Sequence, residues 1–156
     1  MLSRGVLASL PAAALLLGLP GVPAAAVPGP PPLLQGWIVT RGTPYRCLTG
    51  GPIGTILSTT ACVKGDRTQL FYQTSEGRLT QGENCLQPHS SGSKVLVRAC
   101  TYRSNQNWWI TTTFQAGTRN GPCLTELSVD RSNVGKVRLR ACTGAPEQGW
   151  RSLTSW

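Results

Sequence analysis

One pattern occurs three times in this chain of 156 residues, and it restricts the fold more than any other feature of the sequence. The pattern is Cys-Leu, a turn-rich gap, an apolar run ending in Ala-Cys, a short polar loop and Gln-x-aromatic. The first cysteines of the three copies, Cys47, Cys85 and Cys123, are 38 residues apart in both intervals. Such a period is typical of one supersecondary unit used repeatedly, because a single unit cannot bury its apolar face alone. The sequence therefore predicts three equivalent units closed around one core.

Each copy has four short runs of β-branched, aliphatic or aromatic residues, separated by glycine, serine and proline. Such runs are typical of strands, and the residues between them are typical of turns. Apolar residues do not recur at helical spacing over a stretch long enough for a helix of about ten residues. We therefore expect an all-β fold with twelve short strands, four in each copy. One strand of each copy is expected at the apolar run before the second cysteine, at residues 55–57, 95–97 and 137–139.

Each copy also has a leucine after its first cysteine and an aromatic residue two positions after its glutamine. Threefold closure would bring these side chains together, and one buried aromatic side chain removes roughly 150–250 Å² from water. We therefore interpret the aromatic of each Gln-x-aromatic motif as a core residue rather than a ligand contact. The predicted core residues are Leu48, Leu86, Leu124, Phe71, Trp108 and Trp150.

Six cysteines, two in each copy, are typical of a chain exported to an oxidising compartment. Many pairings are conceivable, but pairing within each copy keeps three equivalent units. Each such disulfide contributes on the order of 3 kcal/mol in the chain-entropy model. A zinc site is disfavoured, because the chain lacks Cys-x-x-Cys and its only histidine is His89. The predicted disulfides are Cys47–Cys62, Cys85–Cys100 and Cys123–Cys142.

The beginning of the chain has the composition of an export signal. An apolar run at residues 5–19, preceded by one arginine, and small residues at 24–26 predict a secretory signal peptide at residues 1–26. The proline-rich residues 27–35 predict an extended linker, and residues 36–156 form the predicted domain. The apolar run is too short to span a bilayer, so we expect a secreted, extracellular protein without a membrane span.

The formal net charge of +9 is moderate and spread along the chain. Only Lys136, Arg138 and Arg140 alternate, which predicts three cations on one solvated face of a strand. Nucleic-acid binding is not expected, because the basic residues are not interleaved with the aromatic residues that would stack on bases.

The Cys-Leu…Ala-Cys…Gln-x-Trp pattern resembles the ricin-type (R-type, QxW) β-trefoil lectin domain family from Trp37 to Leu153. The resemblance implies a pseudo-threefold barrel of six strands capped by three hairpins, with one disulfide inside each copy. It also implies a lectin-like, carbohydrate-binding function, with a glycan or glycoconjugate as partner and no cofactor.

The residues that hold sugar in this family are changed here. The resemblance implies a carboxylate two positions after the first cysteine, an aromatic two positions before the second, and an asparagine before the glutamine. This chain has Thr49, Gln87 and Thr125 at the first position, and Thr60, Arg98 and Arg140 at the second. Only copy two keeps the asparagine, so the resemblance implies a degenerate galactose-type site, best kept in copy two. The candidate ligand-binding residues are Gln87, Arg98, Tyr102, Asn105 and Gln106.

Two interpretations of these candidates remain open. Tyr102 would supply a stacking ring, His89 a further polar group, and Arg98 would favour a carboxylated or sulfated glycan through bidentate pairing. Alternatively, these residues are ordinary solvated loop positions, which is the usual state of exposed polar side chains.

Catalysis is not expected. The chain has one histidine, its cysteines are assigned to disulfides, and Glu126 and Asp130 flank a loop without a partner that could make either a general base. The alternative to a stand-alone lectin is a subunit of a secreted toxin or enzyme complex that binds a cell surface or a protein partner. In its missing sugar pocket, and loosely at residues 69–72 and 76–77, the chain resembles the ricin-like subunits of cytolethal distending toxins.

Overall fold

The computed structural model describes residues 34–90 and 92–155. The predicted signal peptide and residues 27–33 of the predicted linker lie outside the described residues. Leu34 and Gln35, which the composition assigns to the linker, are part of the domain: Leu34 is buried in the core and Gln35 begins the first strand. In that strand Gly36 has a φ of 136°, and a Cβ at this position would overlap the carbonyl oxygen of Leu153. Glycine is therefore required where the first and last strands meet.

Twelve strands form in the described part of the chain, as the sequence predicts, together with a short 3-10 helix before the glutamine of each copy. The 3-10 helices are Arg67–Gln69, Ser104–Gln106 and Pro146–Gln148. The strands are β1 Gln35–Thr40, β2 Arg46–Thr49, β3 Ser58–Ala61, β4 Leu70–Gln73, β5 Leu79–Gln81, β6 Asn84–Pro88, β7 Val95–Ala99, β8 Trp108–Ile110, β9 Phe114–Ala116, β10 Cys123–Val129, β11 Gly135–Arg140 and β12 Trp150–Leu153.

Six of these strands close into a ring. Strand β1 pairs with β4 and β12, β4 pairs with β5, and β8 pairs with β9, all antiparallel. Two backbone hydrogen bonds complete the circuit: Trp108 donates to Gly77 beside β5 at 2.8 Å, and Trp150 donates to Thr112 beside β9 at 3.1 Å. The remaining strands form the hairpins β2–β3, β6–β7 and β10–β11. The fold is a β-trefoil, with one hairpin from each copy.

The three disulfides occur as predicted, and the hairpin register explains their equivalence. The first cysteine of each copy pairs across the hairpin with a residue two positions before the second cysteine: Cys47 with Thr60, Cys85 with Arg98 and Cys123 with Arg140. The strand register therefore brings the two cysteines of a copy close together. The Cα–Cα distances are 4.9 Å for Cys47–Cys62, 5.0 Å for Cys85–Cys100 and 5.1 Å for Cys123–Cys142.

The prediction of a hairpin strand at residues 55–57 was wrong, because β3 begins at Ser58. The apolar run has a different partner. Leu57 donates its backbone N–H to Val95 at 2.9 Å, and Val97 donates to Thr55 at 2.9 Å. Residues 55–57 therefore join copy one to the edge of the copy-two hairpin, and Leu57 is 1% exposed. The apolar pattern correctly indicated burial of Leu57 but not of Ile56, which is 39% exposed, and it did not indicate which strand would be the neighbour.

The predicted core is confirmed. The three leucines and three aromatic residues assigned to it are between 0% and 3% exposed. Each buried tryptophan also satisfies its indole N–H, since Trp108 donates to the carbonyl of Leu86 at 3.0 Å and Trp150 donates to that of Leu124 at 2.9 Å. The two aromatic positions thus link β8 and β12 to the hairpins of their own copies, which is a scaffold role.

An ion pair inside the molecule joins copies one and three. Glu126 lies in β10 and not beside a loop, and its carboxylate accepts from Nε of Arg46 at 2.9 Å and from the second guanidinium nitrogen. Thr59 donates its hydroxyl to the same carboxylate. The hydrogen bond from Arg46 to Glu126 and the negative charge of Glu126 raise the pKa of the Arg46 guanidinium above its ordinary value. Glu126 therefore has a structural role, and its partner lies 80 positions earlier in the chain.

Candidate functional site

The glutamine of each copy is a buried connector. Gln106 is 0% exposed, its Oε1 accepts from the backbone N–H of Thr101 at 2.8 Å, and its Nε2 donates to the carbonyl of Ala99 at 2.8 Å. Gln69 and Gln148 make the equivalent pair of bonds in their own copies. The amide ties the end of the hairpin to the 3-10 helix. Gln106 consequently supports the candidate site from beneath and does not form its surface.

The same glutamines also hold the residue that replaces the family's carboxylate. Nε2 of Gln106 donates to Oε1 of Gln87 at 3.0 Å, while Gln69 and Gln148 donate to the hydroxyls of Thr49 and Thr125 at 3.3 Å and 3.2 Å. The oxygen of the Gln87 amide accepts this one bond, and the NH₂ group, which has no hydrogen-bond partner among the described residues, is free to donate to a ligand. Copy two therefore presents a donor where the family's sugar site has an acceptor.

Arg98 lies beside Gln87 on the copy-two hairpin. Arg98 pairs with Cys85 in the β6–β7 register, so it is a diagonal neighbour of Gln87 on the same face of the hairpin. Arg98 is exposed, and no carboxylate within residues 34–90 and 92–155 forms an ion pair with it. Asn105, also exposed, comes immediately before the buried Gln106 in the 3-10 helix. We refer to Gln87, Arg98 and Asn105 as the copy-two site.

Tyr102 and His89 have neighbours outside the copy-two site. Tyr102 is 85% exposed, and the Arg78 guanidinium carbon lies 4.8 Å from its ring centroid. Arg78 in turn pairs with Glu76 in the turn between β4 and β5, so Tyr102 is held towards that turn. His89 lines a different cleft, together with Lys94 and Arg138 of copy three. Of the five candidates from the sequence, three are exposed or half-buried residues of the copy-two site, Gln106 is buried beneath them, and the Tyr102 ring lies against Arg78.

Copies one and three lack this combination. In copy one the arginine position is Thr60, whose hydroxyl lies 2.8 Å from that of Thr49. In copy three Arg140 is exposed, but Thr125 is buried and Glu147 stands where copy two has its asparagine. Among the described residues, copy one has no arginine at the position of Arg98, and copy three has a carboxylate at the position of Asn105. Within that part of the chain, only copy two combines an arginine without an ion pair and an uncharged residue before the glutamine.

A second surface feature was missed by the sequence reasoning. A cleft of about 380 Å³ lies between the turn at residues 74–77 and strand β8, and we call it the Trp109 cleft. The signal for it was present in the sequence: neighbouring residues of a strand face opposite sides, so Trp108 and Trp109 cannot both be buried in one core. Trp108 is 3% exposed and Trp109 is 46% exposed. The cleft is lined by the polar residues Gln73, Ser75, Glu76 and Asn107 and by the aromatic residues Trp108 and Trp109.

Residues 34–90 and 92–155 contain neither a cluster of metal ligands nor a membrane-spanning helix. No group of three or more histidine, cysteine, aspartate or glutamate residues is placed to hold a metal ion. No helix in that part of the chain is long and apolar enough to cross a bilayer.

Comparison with known proteins places these features in a family. Residues 35–150 match the family model described as "Ricin-type beta-trefoil lectin domain". A curated relative, the "Probable lipoprotein EnvE" of Salmonella typhimurium, is 30% identical over 106 residues, which cover 65% of this chain and 61% of the relative. The chain thus spans about three fifths of that relative's length.

Solved structures show the same fold at low identity. GalNAc-T7, crystallised with UDP, GalNAc and Mn²⁺, has a TM-score of 0.66 at 23% identity, covering 80% of this chain and 23% of its own. The C-terminal domain of an earthworm lectin, as a mutant in complex with 6'-sialyllactose, has a TM-score of 0.61 at 16% identity, covering 74% of this chain and 96% of its own. At these identities the likeness establishes the β-trefoil fold.

Proposed function

The chain belongs to the ricin-type β-trefoil lectin domain family, and we propose that it is a secreted carbohydrate-binding module that takes an acidic glycan at its copy-two site. The observation that carries the proposal is the hydrogen bond from Gln106 to Oε1 of Gln87. It leaves an amide donor beside the unpaired guanidinium of Arg98. A surface built mainly of donors suits a ligand that brings its own negatively charged acceptor.

The chemistry of Arg98 defines the class of glycan. A guanidinium forms paired hydrogen bonds with a carboxylate or a sulfate, and such charge-assisted bonds are roughly twice as strong as neutral ones. Asn105 supplies one further amide that can both donate and accept. The 6'-sialyllactose bound by the earthworm domain mutant supports the proposal, since a sialic acid carries a carboxylate on this same fold.

The differences between copies predict one dominant site. Glu147 in copy three places a negative charge near the ligand position and would repel an anion. Copy one has no cation at the position of Arg98, because Thr60 stands there. Binding should therefore depend on copy two alone.

The test is a glycan array followed by titration, using neutral, carboxylated and sulfated glycans. The Arg98→Ala and Asn105→Ala variants should each weaken binding to acidic glycans, and added salt should weaken it further because the arginine is exposed. Arg140→Ala is the matched control, since Arg140 occupies the equivalent register position of copy three. Undiminished binding of acidic glycans by Arg98→Ala would refute the assignment.

The second candidate function is a subunit that binds a protein partner or a cell surface for a larger secreted toxin or enzyme. Two similarities support this candidate. The curated relative EnvE is a probable lipoprotein, and the matching part of GalNAc-T7 is 23% of a much longer chain. Co-purification from culture supernatant distinguishes the two functions. A stable complex with no binding on the array would support the subunit.

A location outside the cytoplasm fits both candidates. Three disulfides need an oxidising compartment, and the curated relative is a probable lipoprotein. Detection of the chain in the medium, cleaved after residue 26, would verify the predicted signal peptide.

A further inference from the structure

We propose that the Trp109 cleft is a second carbohydrate site, separate from the copy-two site, that binds the pyranose ring of a neutral sugar. A pyranose has one apolar face and a hydroxylated edge, so its recognition needs an aromatic ring and polar acceptors together. The Trp109 cleft contains both, and its polar groups have properties different from those of Gln87 and Arg98.

The aromatic part is Trp109. Its side chain lines the cleft and keeps 46% of its surface exposed, although it sits in the middle of β8. The Arg119 guanidinium carbon lies 5.9 Å from the ring centroid, near the limit of a cation–π contact. Single exposed aromatics are common and by themselves indicate nothing. What distinguishes Trp109 is the set of polar groups in the same cleft.

The carboxylate part is Glu76. One of its oxygens accepts from Arg78 at 2.8 Å, and the other accepts from the Ser75 hydroxyl at 3.0 Å. A hydrogen bond from Thr74, together with bonds from the Glu76 backbone and Ser75, lowers the pKa of Glu76 below its ordinary value. Glu76 is thus an ionised acceptor whose orientation is set by its neighbours, and its side chain, 58% exposed, is accessible to a sugar hydroxyl.

Asn107 and Gln73 supply the remaining polar groups. The backbone of Asn107 is held on both sides, since its N–H donates to Ser104 at 3.1 Å and its carbonyl accepts from Gly117 at 2.8 Å. Its side-chain amide has no hydrogen bond to another described residue and can donate to and accept from a ligand. The Gln73 side chain is anchored by its bond to the Trp108 carbonyl at 3.0 Å. The side-chain amide of Asn107 therefore lines the same cleft as the Glu76 carboxylate, which lies in the turn between β4 and β5.

Size and charge select the ligand class. A volume of about 380 Å³ is at the small end of ligand pockets, which suits one or two sugar rings. The negative charge of Glu76 disfavours an acidic sugar and favours neighbouring hydroxyls, which donate to carboxylates. The two sites therefore select opposite classes of glycan, and the Trp109 cleft does not depend on the function proposed for copy two.

The experiment is titration of the mature domain with methyl glycosides of galactose, glucose and mannose, followed by tryptophan fluorescence and by saturation-transfer NMR. We expect at least one of them to bind, with a dissociation constant on the order of 1 mM. Trp109→Ala and Glu76→Gln should each weaken that binding about tenfold, while Trp109→Phe should keep most of it because a ring remains.

Two control substitutions distinguish binding in the Trp109 cleft from binding elsewhere on the surface. Tyr45 is also 46% exposed and also lies against an arginine, with the Arg151 guanidinium carbon 4.2 Å from its ring centroid, but it does not line the cleft. Tyr45→Ala should leave neutral-sugar binding unchanged. Arg98→Ala should also leave it unchanged while reducing acidic-glycan binding. Failure of all three glycosides to bind, or binding that survives both Trp109→Ala and Glu76→Gln in folded protein, would overturn the proposal.

Discussion

Glu126→Gln tests whether the ion pair between copies one and three supports the fold. Glutamine has nearly the same shape as glutamate but carries no charge. The substitution therefore leaves the Arg46 guanidinium largely buried, with one side-chain amide in place of a carboxylate that accepts from Nε at 2.9 Å and from a second nitrogen. Thr59 also loses its charged acceptor. Three hydrogen bonds that involve the carboxylate are weakened or lost at once.

The expected destabilisation is about 3 kcal/mol, because breaking a buried pair by removing one charge typically costs about 3–5 kcal/mol. We use the lower end of this range because the Arg46 and Glu126 side chains are 12% and 11% exposed. Water can therefore partly solvate the Arg46 guanidinium once its partner is removed. Neighbouring groups offer little room for rearrangement. A Cβ on Gly135 would come within 2.6 Å of a Glu126 carboxylate oxygen, so the backbone of β11 lies directly against the pair.

The assay is denaturant unfolding of the oxidised mature domain, in which the stability change is read from the shift in midpoint at constant slope. Glu76→Gln is the matched control, because Glu76 also pairs with an arginine but its side chain is 58% exposed. Its midpoint should shift much less than that of Glu126→Gln, because an exposed ion pair contributes little to stability. A Glu126→Gln midpoint equal to that of the unaltered protein would show that the pair does not stabilise the trefoil.

Two further predictions concern the core and the Trp109 cleft. Trp150→Ala should destabilise the fold by about 3–5 kcal/mol, because it removes a large buried side chain and leaves the Leu124 carbonyl unpaired, and thermal unfolding measures this. Neutral-sugar binding should stay constant from about pH 7 to about pH 5 and decline only below the ordinary glutamate value of 4.5, because hydrogen bonds from Thr74, the Glu76 backbone and Ser75 lower the pKa of Glu76. Titration as a function of pH checks the second prediction, and a decline that begins above pH 5 or persists in Glu76→Gln would contradict it.

The repeat was sufficient to predict the architecture. The spacing of Cys47, Cys85 and Cys123 implied three equivalent units, and equivalence then selected the disulfides and the six core residues, all of which the structure confirms. These predictions succeeded because each depends on residues close together in one copy or on the symmetry that relates the copies. The candidate site was predicted less completely. Position within the repeat selected Gln87, Arg98 and Asn105 as candidates, which stays a prediction, and it did not show that Gln106 is buried.

Tertiary structure decided the features that join different copies. The run at residues 55–57 is apolar in the sequence, but its neighbour proved to be β7 of copy two. In the sequence Glu126 has no neighbouring basic residue to pair with, and in the structure its partner is Arg46, 80 positions away. The Trp109 cleft likewise needs the turn after β4 and the strand β8 side by side. Hydrophobic periodicity and cysteine spacing record which side chains a single unit must bury. Contacts between units depend on how the closed barrel brings distant positions together, and no local pattern in the chain specifies that.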